Sequence, residues 1–464
     1  MRNESCINLP YLGALIRMHM CTIGNWLRKL TIVSACLVFP LSEALALPVI
    51  PGAAGFGMDT PAGRGGKVYK VTNLNATGSG SLRECIEASG PRVCVFEVSG
   101  TIRLEDTIRI SNPYITIAGQ TAPSPGITIR GAGIRIRTSH VLIQHLRIRP
   151  GDDPNGPKPT NRDAIYIGDN TDVEMTGIVL DHNSFSWGMG QIASTWANNK
   201  RVTFRNNIFA EGIWTGEIRG RGPVIRGRET SQTTMVGNLF VNNMARNPLS
   251  RAGHLVLVNN VFYNWGNVGT DLQGEHGIVT RNTLIGNYYK AGPDSSRDAI
   301  RMRGRGDDRD MTPGSKVYVR DNIAPRYDGN DPWSAVSVES ALDDSFKAST
   351  PPTWNTGLQV RSAREAYDQA LTYVGARPAD RDAVDVRLVK EVQNGHGQII
   401  ASQDDVGGWP NLAQNRRELT LPSNPNADSN GNGYTDLEEW LHRMAAAVEG
   451  RGVAPAAPSG LTVR

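Results

Sequence analysis

Two arginines flank a proline in the segment RNPLSR, which runs from Arg246 to Arg251 and follows a β-like run that starts at Met235. A proline fixes the local backbone, so the two guanidiniums can be held at a defined separation. The planar guanidinium fork pairs with a carboxylate through two hydrogen bonds. The spacing therefore predicts a site that binds or acts on an anion, and an acidic polymer is the first substrate to consider.

The elements that must position these arginines form a repeat. A short β-branched run, then Asn or Asp, then an apolar pair, begins near Ile178, Val202, Met235, Val256, Ile278 and Val317. A unit of about 22 residues, with insertions that keep the strand phase, predicts the coils of a parallel β-helix. We therefore expect an all-β fold.

Asparagine recurs at one point of this repeat. The positions are Asn183, Asn207, Asn238, Asn260 and Asn282. Stacked amides there could hydrogen-bond along the helix axis and satisfy the buried backbone of the turns. Ordinary turn asparagines are the alternative. Recurrence in successive coils favours the ladder.

Composition agrees with a turn-rich β protein. The chain has 50 Gly and 27 Pro in 464 residues and is 39% hydrophobic, so we expect a long core and little helix. Its formal charge is only +4. A charge this small attracts nucleic acid weakly, and any anion site must be local.

Residues 1–46 resemble an export signal. Arg28 and Lys29 precede an apolar stretch at 30–41, and Ala44-Leu45-Ala46 offers a cleavage site before the next leucine. We expect a secreted protein with no membrane span. Translation starting at Met18 or Met20 is an alternative, because the polar segment before the apolar stretch is long.

Removal of that segment leaves two cysteines, Cys85 and Cys94. In an exported chain this pair predicts a disulfide that closes a small loop. Two buried free thiols are the alternative.

Several motifs resemble secreted bacterial pectate lyases of polysaccharide lyase family 1. They lie at 51–57, 63–69, 71–75, 80–84, 117–123, 146–152, 180–187 and 381–385, in the family's order. The resemblance covers residues from about 50 to about 440 and implies a right-handed, single-stranded parallel β-helix with an N-terminal cap and a C-terminal wrapping tail. It also implies β-elimination on polygalacturonate.

The resemblance assigns roles to the two arginines. In the family's Arg-x-Pro-x-x-Arg motif the first arginine, here Arg246, is taken as the base, and Arg251 completes the motif. β-Elimination removes the proton α to the uronate carboxylate, so the enzyme must supply a base and stabilise an enolate-like dianion. Arginine normally stays protonated, so an electrostatic or acid role remains open. Two surface arginines in an ordinary turn are the alternative.

A second basic position lies one coil earlier, at Arg219 and Arg221. The family tends to place a Gly-flanked basic or polar residue there, near the substrate carboxylate, and Arg221 is the preferred candidate. Arg226 and Arg228 could share this task, or the cluster could be a solvated loop. Arg219, Arg221 and Arg251 are the predicted substrate-binding residues.

Calcium is where the chain departs from the family, whose members bridge enzyme and substrate through Ca²⁺ held by carboxylates. Asp163 keeps the first acidic position. Where relatives commonly read Thr-Asp-Glu, this chain reads Met189-Gly190-Gln191. Two missing carboxylates predict a weak calcium site there, or none.

Three readings follow from this loss. Arg219 or Arg221 could replace the metal, as in the metal-free pectin lyases that accept methyl-esterified substrate. Alternatively, Asp169, Asp172 or Glu217 could supply ligands, and the enzyme would remain a pectate lyase. The third reading is a changed substrate or a non-catalytic β-helix, such as an adhesin, that binds polysaccharide.

A separate calcium motif lies near the C terminus. EF-hand spacing selects Asp428, Asn430, Asn432, Tyr434, Asp436 and Glu439 as ligands. A single loop of this kind predicts a structural clip. An Asx-rich turn before a short helix is the alternative.

These features divide the chain into four parts. They are the signal peptide, a catalytic β-helix at 47–330, a C-terminal extension at 331–449 that packs on the β-helix, and a flexible tail at 450–464. The predicted partner is an acidic polysaccharide, with no nucleic acid, and the protein is expected to be a monomer.

Overall fold

The computed structural model describes residues 47–452, apart from 169–172, 197, 276 and 297. The predicted signal peptide, most of the predicted tail, and two alternative calcium ligands (Asp169 and Asp172) lie outside the described residues. No helix among the described residues is long and apolar enough to cross a membrane.

In the described part of the chain, three parallel sheets are visited in turn by successive strands. Sheet 1 consists of β1 (Lys67–Val71), β2 (Arg92–Phe96), β5 (Ile115–Ala118), β8 (Val141–Gln144), β11 (Met175–Asp181), β14 (Asn199–Arg205), β17 (Gln232–Val236), β20 (His254–Val258), β23 (Arg281–Ile285) and β26 (Lys316–Arg320). Sheet 2 consists of β3 (Gly100–Arg103), β6 (Ile127–Arg130), β9 (Leu146–Arg149), β12 (Ser184–Ser186), β15 (Ile208–Ala210), β18 (Leu239–Val241), β21 (Val261–Tyr263) and β24 (Tyr288–Lys290). Sheet 3 consists of β4 (Ile108–Ile110), β7 (Ile134–Ile136), β10 (Ile165–Ile167), β13 (Ala193–Thr195), β16 (Val224–Arg226), β19 (Leu249–Arg251), β22 (Thr270–Leu272), β25 (Ile300–Met302) and β27 (Val336–Val338).

Each strand pairs in parallel with the strand one coil later. Ile178 pairs with Val202, and Val202 pairs with Thr233. Because every pair is parallel and the chain returns to the same sheet once per coil, the prediction of a parallel β-helix is confirmed.

The asparagine ladder lies at the turn between sheet 1 and sheet 2. Each amide of the ladder donates to the Oδ1 of the asparagine one coil further, at 2.8–3.2 Å. The members are Asn183, Asn207, Asn238, Asn260, Asn287 and Asn322. The same Oδ1 also accepts the backbone N–H of the preceding asparagine, so the ladder satisfies buried turn backbone.

One ladder position was predicted wrongly. Asn282 lies inside β23 and donates to Thr280 Oγ1 at 3.2 Å, whereas Asn287 takes the ladder position. The step from Asn260 to Asn287 is 27 residues. The prediction assumed a repeat of about 22 residues and therefore assigned the ladder position to a residue too early in the chain. The added residues lie before β23 and leave its phase intact.

An aromatic stack fills the interior behind sheet 2. Its rings come from successive coils, with centroids 4.3–5.4 Å apart. They belong to Phe185, Phe209, Phe240, Phe262 and Tyr289. Each stacked pair adds about 0.5–1.5 kcal/mol beyond its buried area, so the stack helps to fix one coil over the next.

The N-terminal cap is the short helix α1 (Leu82–Glu87). Cys85 in this helix forms a disulfide with Cys94 in β2, which confirms the predicted pair. The buried Arg92 guanidinium donates to the carbonyls of Cys85 and Ile86 at 2.8 and 2.7 Å. It thereby satisfies carbonyls at the end of the helix that have no partner within it. The disulfide contributes about 2–3 kcal/mol by restricting the unfolded chain.

Three helices of the C-terminal extension cover two of the sheets. Helices α2 (Ala363–Tyr373) and α3 (Ala383–Asn394) place Leu371 and Leu388 against sheet 2, and α4 (Asp436–Glu449) places Leu437 and Leu441 against sheet 1. Helices α2 and α4 each begin at a capping box that satisfies free N–H groups. The arginines singled out above lie on sheet 3 or in the connections that lead into it from sheet 2.

Candidate active site

Arg246 lies in the connection between β18 and β19. Its backbone has φ = 68°, an uncommon value for a residue with a side chain. The neighbouring coil holds it there, since Gly222 N–H donates to Ala245 O at 3.0 Å. A Cβ at Gly222 would lie 2.2 Å from Arg246 O, so only glycine fits this contact. The main chain that carries Arg246 is thus fixed from one coil away.

The Arg246 side chain lies among other guanidiniums. Burial, together with the charges of Arg221 and Arg251, lowers the pKa of Arg246 to about 10, although the charge of Asp163 opposes this shift. No hydrogen bond or salt bridge from a described residue holds this guanidinium. A partly desolvated arginine that is repelled by its neighbours loses its proton more easily than a free one. At alkaline pH Arg246 can therefore accept a proton.

Asp163 lies just before β10 and is already hydrogen-bonded. Its Oδ1 accepts the Gln191 N–H at 2.6 Å and its Oδ2 accepts the Ser194 hydroxyl at 2.8 Å. Burial raises the pKa of Asp163 to about 6, although both hydrogen bonds and Arg246 lower it. A Cβ at Gly190 would lie 2.3 Å from Oδ1. The missing side chain at position 190 is what gives the carboxylate room.

Arg221 is half-buried, whereas Arg219 is exposed. Arg221 pairs with Gln191 of the preceding coil as a parallel bridge, and its guanidinium lies 5.0 Å from the centre of the Trp214 ring. Burial lowers the pKa of Arg221, and the charge of Arg219 adds to this. Arg219 is exposed and donates to Gly216 O at 3.3 Å. Arg221 is therefore the one beside Arg246.

Arg226 and Arg251 are register partners on adjacent strands of sheet 3. Arg226 donates to Glu275 at 2.6 Å and stacks 3.8 Å from the centre of the Trp196 ring. Arg251 donates instead to the neutral amide oxygen of Gln273. The charge of Arg226 is thus paired, whereas Arg251 has no carboxylate partner among the described residues.

The structure brings four of the predicted residues together, and we call them the arginine site: Asp163, Arg221, Arg246 and Arg251. Sequence reasoning missed the side chains that orient them, including Trp214 beside Arg221 and Gln273 beside Arg251. These partners come from other coils, and no local spacing marks them.

The arginine site does not fit a calcium cage. Ca²⁺ takes six to eight oxygen ligands. Both oxygens of Asp163 are engaged, Gly190 offers none, and Glu217 is exposed. Gln191 Oε1 is buried without a hydrogen-bond partner among the described residues, so it adds one neutral oxygen. One carboxylate and one amide are too few for tight binding.

The EF-hand-like loop is folded around Glu439, at the start of α4. Asp428 accepts the N–H groups of Asn432 and Gly433 at 3.1 and 2.8 Å. The amides of Asn430 and Asn432 both donate to Glu439 Oε1 at 2.6 Å. If the side-chain amides of Asn430 and Asn432 rotate by half a turn, their oxygens take the place of the nitrogens and face the Glu439 carboxylate. These side chains therefore fit a Ca²⁺ ion.

The other two predicted loop ligands anchor its ends. The Asp436 carboxylate accepts the Ser429 hydroxyl at 2.7 Å, and the Tyr434 hydroxyl donates to Pro48 O at 2.8 Å. The loop thus ties α4 to the start of the described chain, on sheet 1. It is a separate site from the arginines on sheet 3.

Comparison with known proteins shows which family the chain belongs to. No protein-family model matches the chain. A "Probable pectate lyase C" of Aspergillus flavus is 32% identical over 424 residues, covering 86% of this chain and 94% of that protein. The chain belongs to the pectate lyase family. A relative of the same name in Neosartorya fischeri is also 32% identical, with the same coverage. These long matches are fungal, so the resemblance to bacterial members was drawn too narrowly.

The solved structure of Jun a 1, the major allergen of cedar pollen, matches with a TM-score of 0.50 and 17% identity. The match covers 68% of this chain and 91% of that one. At this identity it supports the fold alone.

Proposed function

We propose that this protein is a secreted lyase that cleaves polygalacturonate by β-elimination. The observation that carries the proposal is the arginine site, in which Arg246 lies among like charges with a pKa lowered to about 10. Membership of the pectate lyase family supports it, as does the disulfide between Cys85 and Cys94, since disulfides persist in oxidising compartments.

The charges of the site favour an acidic substrate. Arg221, Arg246 and Arg251 have no salt-bridge partner among the described residues, so their charges are available to a ligand. A free uronate carboxylate can pair with a guanidinium through two charge-assisted hydrogen bonds. A methyl ester has no charge and accepts weaker ones. Pectate is therefore preferred over methylated pectin.

In the proposed reaction Arg246, in its neutral form, takes the proton from C5 of the uronate. The electrons of the C5–H bond pass through an enolate-like state and form the C4–C5 double bond, while the C4–O bond breaks. Water protonates the departing oxygen. Arg221 and Arg251 stabilise the charge that builds on the carboxylate.

Calcium has two proposed places in this function. The loop at 428–439 holds a structural Ca²⁺ that fixes α4. At the arginine site, activity needs millimolar Ca²⁺ or none, because the ligands there are too few.

The test is to mix the purified protein with polygalacturonate and, separately, with methylated pectin. β-Elimination makes an unsaturated uronate with a characteristic ultraviolet absorbance, whereas hydrolysis does not. Faster growth of that absorbance on polygalacturonate supports the proposal. Faster growth on methylated pectin would indicate a pectin lyase. Binding of polysaccharide with no absorbance would indicate a non-catalytic β-helix.

A further inference from the structure

Four buried side chains form a cluster away from the arginine site. They are His145, Asp181, His182 and Glu449, and one ligand atom from each lies within 4.8 Å of the others. The two histidines lie at the turn between sheet 1 and sheet 2 in adjacent coils, and Glu449 is the last residue of α4. The cluster thus joins the extension to the β-helix.

Three of the separations are close to those of a tetrahedral metal site, within a cluster whose atoms all lie within 4.8 Å of one another. His182 Nδ1 lies 3.0 Å from Asp181 Oδ2 and 3.4 Å from Glu449 Oε1, and His145 Nε2 lies 3.6 Å from the same Glu449 oxygen. Ligands about 2.0–2.1 Å from a zinc ion at tetrahedral angles are roughly 3.3–3.4 Å apart. One ion would fit between these atoms once the more distant ones move closer to it.

Two ring nitrogens of this cluster have no hydrogen-bond partner among the described residues. They are His145 Nε2 and His182 Nε2, and both side chains are fully buried. His182 Nδ1 contacts the carboxylates of Asp181 and Glu449. A buried polar atom without a partner is costly, and binding a metal ion is one way to remove that cost. Other coils place Asn206, Gly237 or Asn259 at this turn. The histidines are therefore not required by the fold of the turn.

The outer contacts orient the histidine for metal binding. His145 Nδ1 lies 2.8 Å from Ala376 O, so it carries the hydrogen and leaves Nε2 with a free lone pair. Metal-binding histidines commonly donate their other N–H to a carbonyl in this way.

The carboxylates are held in the same manner. Asp181 accepts hydrogen bonds from Arg205 and Gln144 at 2.6 and 3.0 Å. Glu449 Oε2 pairs with Arg451 at 3.1 Å, which leaves Oε1 facing the histidines. Each prospective ligand thus has a partner that fixes it.

We propose that His145, Asp181, His182 and Glu449 bind one divalent transition-metal ion, with zinc as the best match to two imidazoles and two carboxylates. The ion pins the C-terminal end of α4 to two adjacent coils. This site is separate from the loop at 428–439, which offers oxygen ligands at the other end of the same helix. It does not depend on the proposed reaction.

The test uses the full mature protein and zinc as the probe. After removal of metal by chelation, zinc is added back and the bound metal is measured by mass spectrometry. We expect about one zinc per chain from the Glu439→Gln protein, in which the calcium loop is disabled, and a rise in its melting temperature. Glu449→Gln, the same change at the other end of α4, should weaken zinc binding by at least about tenfold to a hundredfold.

Cobalt(II) added to the otherwise unaltered protein gives a second readout, which does not require a variant to fold. An intense visible spectrum of tetrahedral cobalt, displaced by zinc, would support the site. Equal zinc binding by the two variants would overturn the proposal. A protein that binds neither metal would also overturn it. If the melting temperature of that protein rises as the pH falls, the cluster is instead an ion pair between protonated histidines and the two carboxylates.

Discussion

Arg251 donates two hydrogen bonds to a single oxygen of Gln273, at 2.9 Å from Nε and 2.6 Å from Nη2. The acceptor is a neutral amide, so the guanidinium is fixed in direction while its charge stays available. Gln273 is in turn held by Asp271, which is paired with Arg301 at 2.7 Å.

This relationship predicts the effect of Gln273→Glu. A carboxylate at this position would neutralise Arg251 and compete with the substrate, so KM on polygalacturonate should rise by about tenfold, with a smaller change in kcat. Steady-state kinetics measure both. The exposed Gln359→Glu adds the same charge elsewhere and should leave KM unchanged. An unaltered KM in folded Gln273→Glu would remove Arg251 from substrate binding.

Arg246→Lys tests the catalytic assignment. An ammonium cannot reproduce the planar fork, so kcat should fall by at least ~10²–10³ while the melting temperature stays near that of the parent. Arg109→Lys, also on sheet 3, is the matched control. Retention of more than about a tenth of kcat by Arg246→Lys would contradict the assignment.

The lowered pKa of Arg246 predicts an alkaline enzyme. Below a pKa of about 10 the neutral fraction rises about tenfold per pH unit, so kcat/KM should rise with pH up to that value. Removing the charge of Arg221 would raise the pKa of Arg246. Arg221→Gln should therefore move the rise to higher pH, whatever it does to the maximal rate.

The readout is the midpoint of the pH–rate profile, measured on polygalacturonate across the alkaline range. If the midpoint is the same with and without Arg221, the titrating group is not Arg246.

Calcium at 428–439 should stabilise the folded protein. A ligand that binds only the folded state adds about 2.7 kcal/mol at a hundred times its dissociation constant, so the melting temperature should rise with Ca²⁺. Glu439→Gln should lose this gain, and the exposed Glu418→Gln should keep it. Equal shifts in all three proteins would place the ion elsewhere.

The calcium requirement of the reaction can be measured in the Glu439→Gln protein, where the loop does not interfere. Titration from a chelated start should show either no dependence or half-maximal activity at millimolar Ca²⁺, because Gly190 and Gln191 lack the carboxylates of a tight site. Half-maximal activity at a few micromolar would show that other residues rebuild the cage.

The fold was largely predictable because the position of each strand is indicated by a short local sequence pattern. β-Branched runs followed by Asn identified the coils around Asn183 to Asn260, where each ladder residue follows its strand directly. Asn282 was placed wrongly because added residues before β23 move that strand and its ladder asparagine further along the chain, and the sequence pattern alone does not say where inserted residues leave the coil.

The site was predictable only in part. Arg246 and Arg251 follow from a local motif, but their electrostatic environment depends on Asp163 and Arg221 from other coils. The histidine cluster was missed because Glu449 meets His145 and His182 only after the extension has folded back. Contacts between distant segments leave no periodic signal.

From β11 onward the corner between sheet 1 and sheet 2 has a constant length, whereas the corner between sheet 2 and sheet 3 varies from coil to coil. The ladder occupies the constant corner, and Asp163, Arg221 and Arg246 occupy the variable one. Lengthening or replacing a segment at the variable corner leaves the hydrogen-bonded column undisturbed. New specificities can therefore be grafted onto this scaffold one coil at a time, without re-optimising the stacking beneath them.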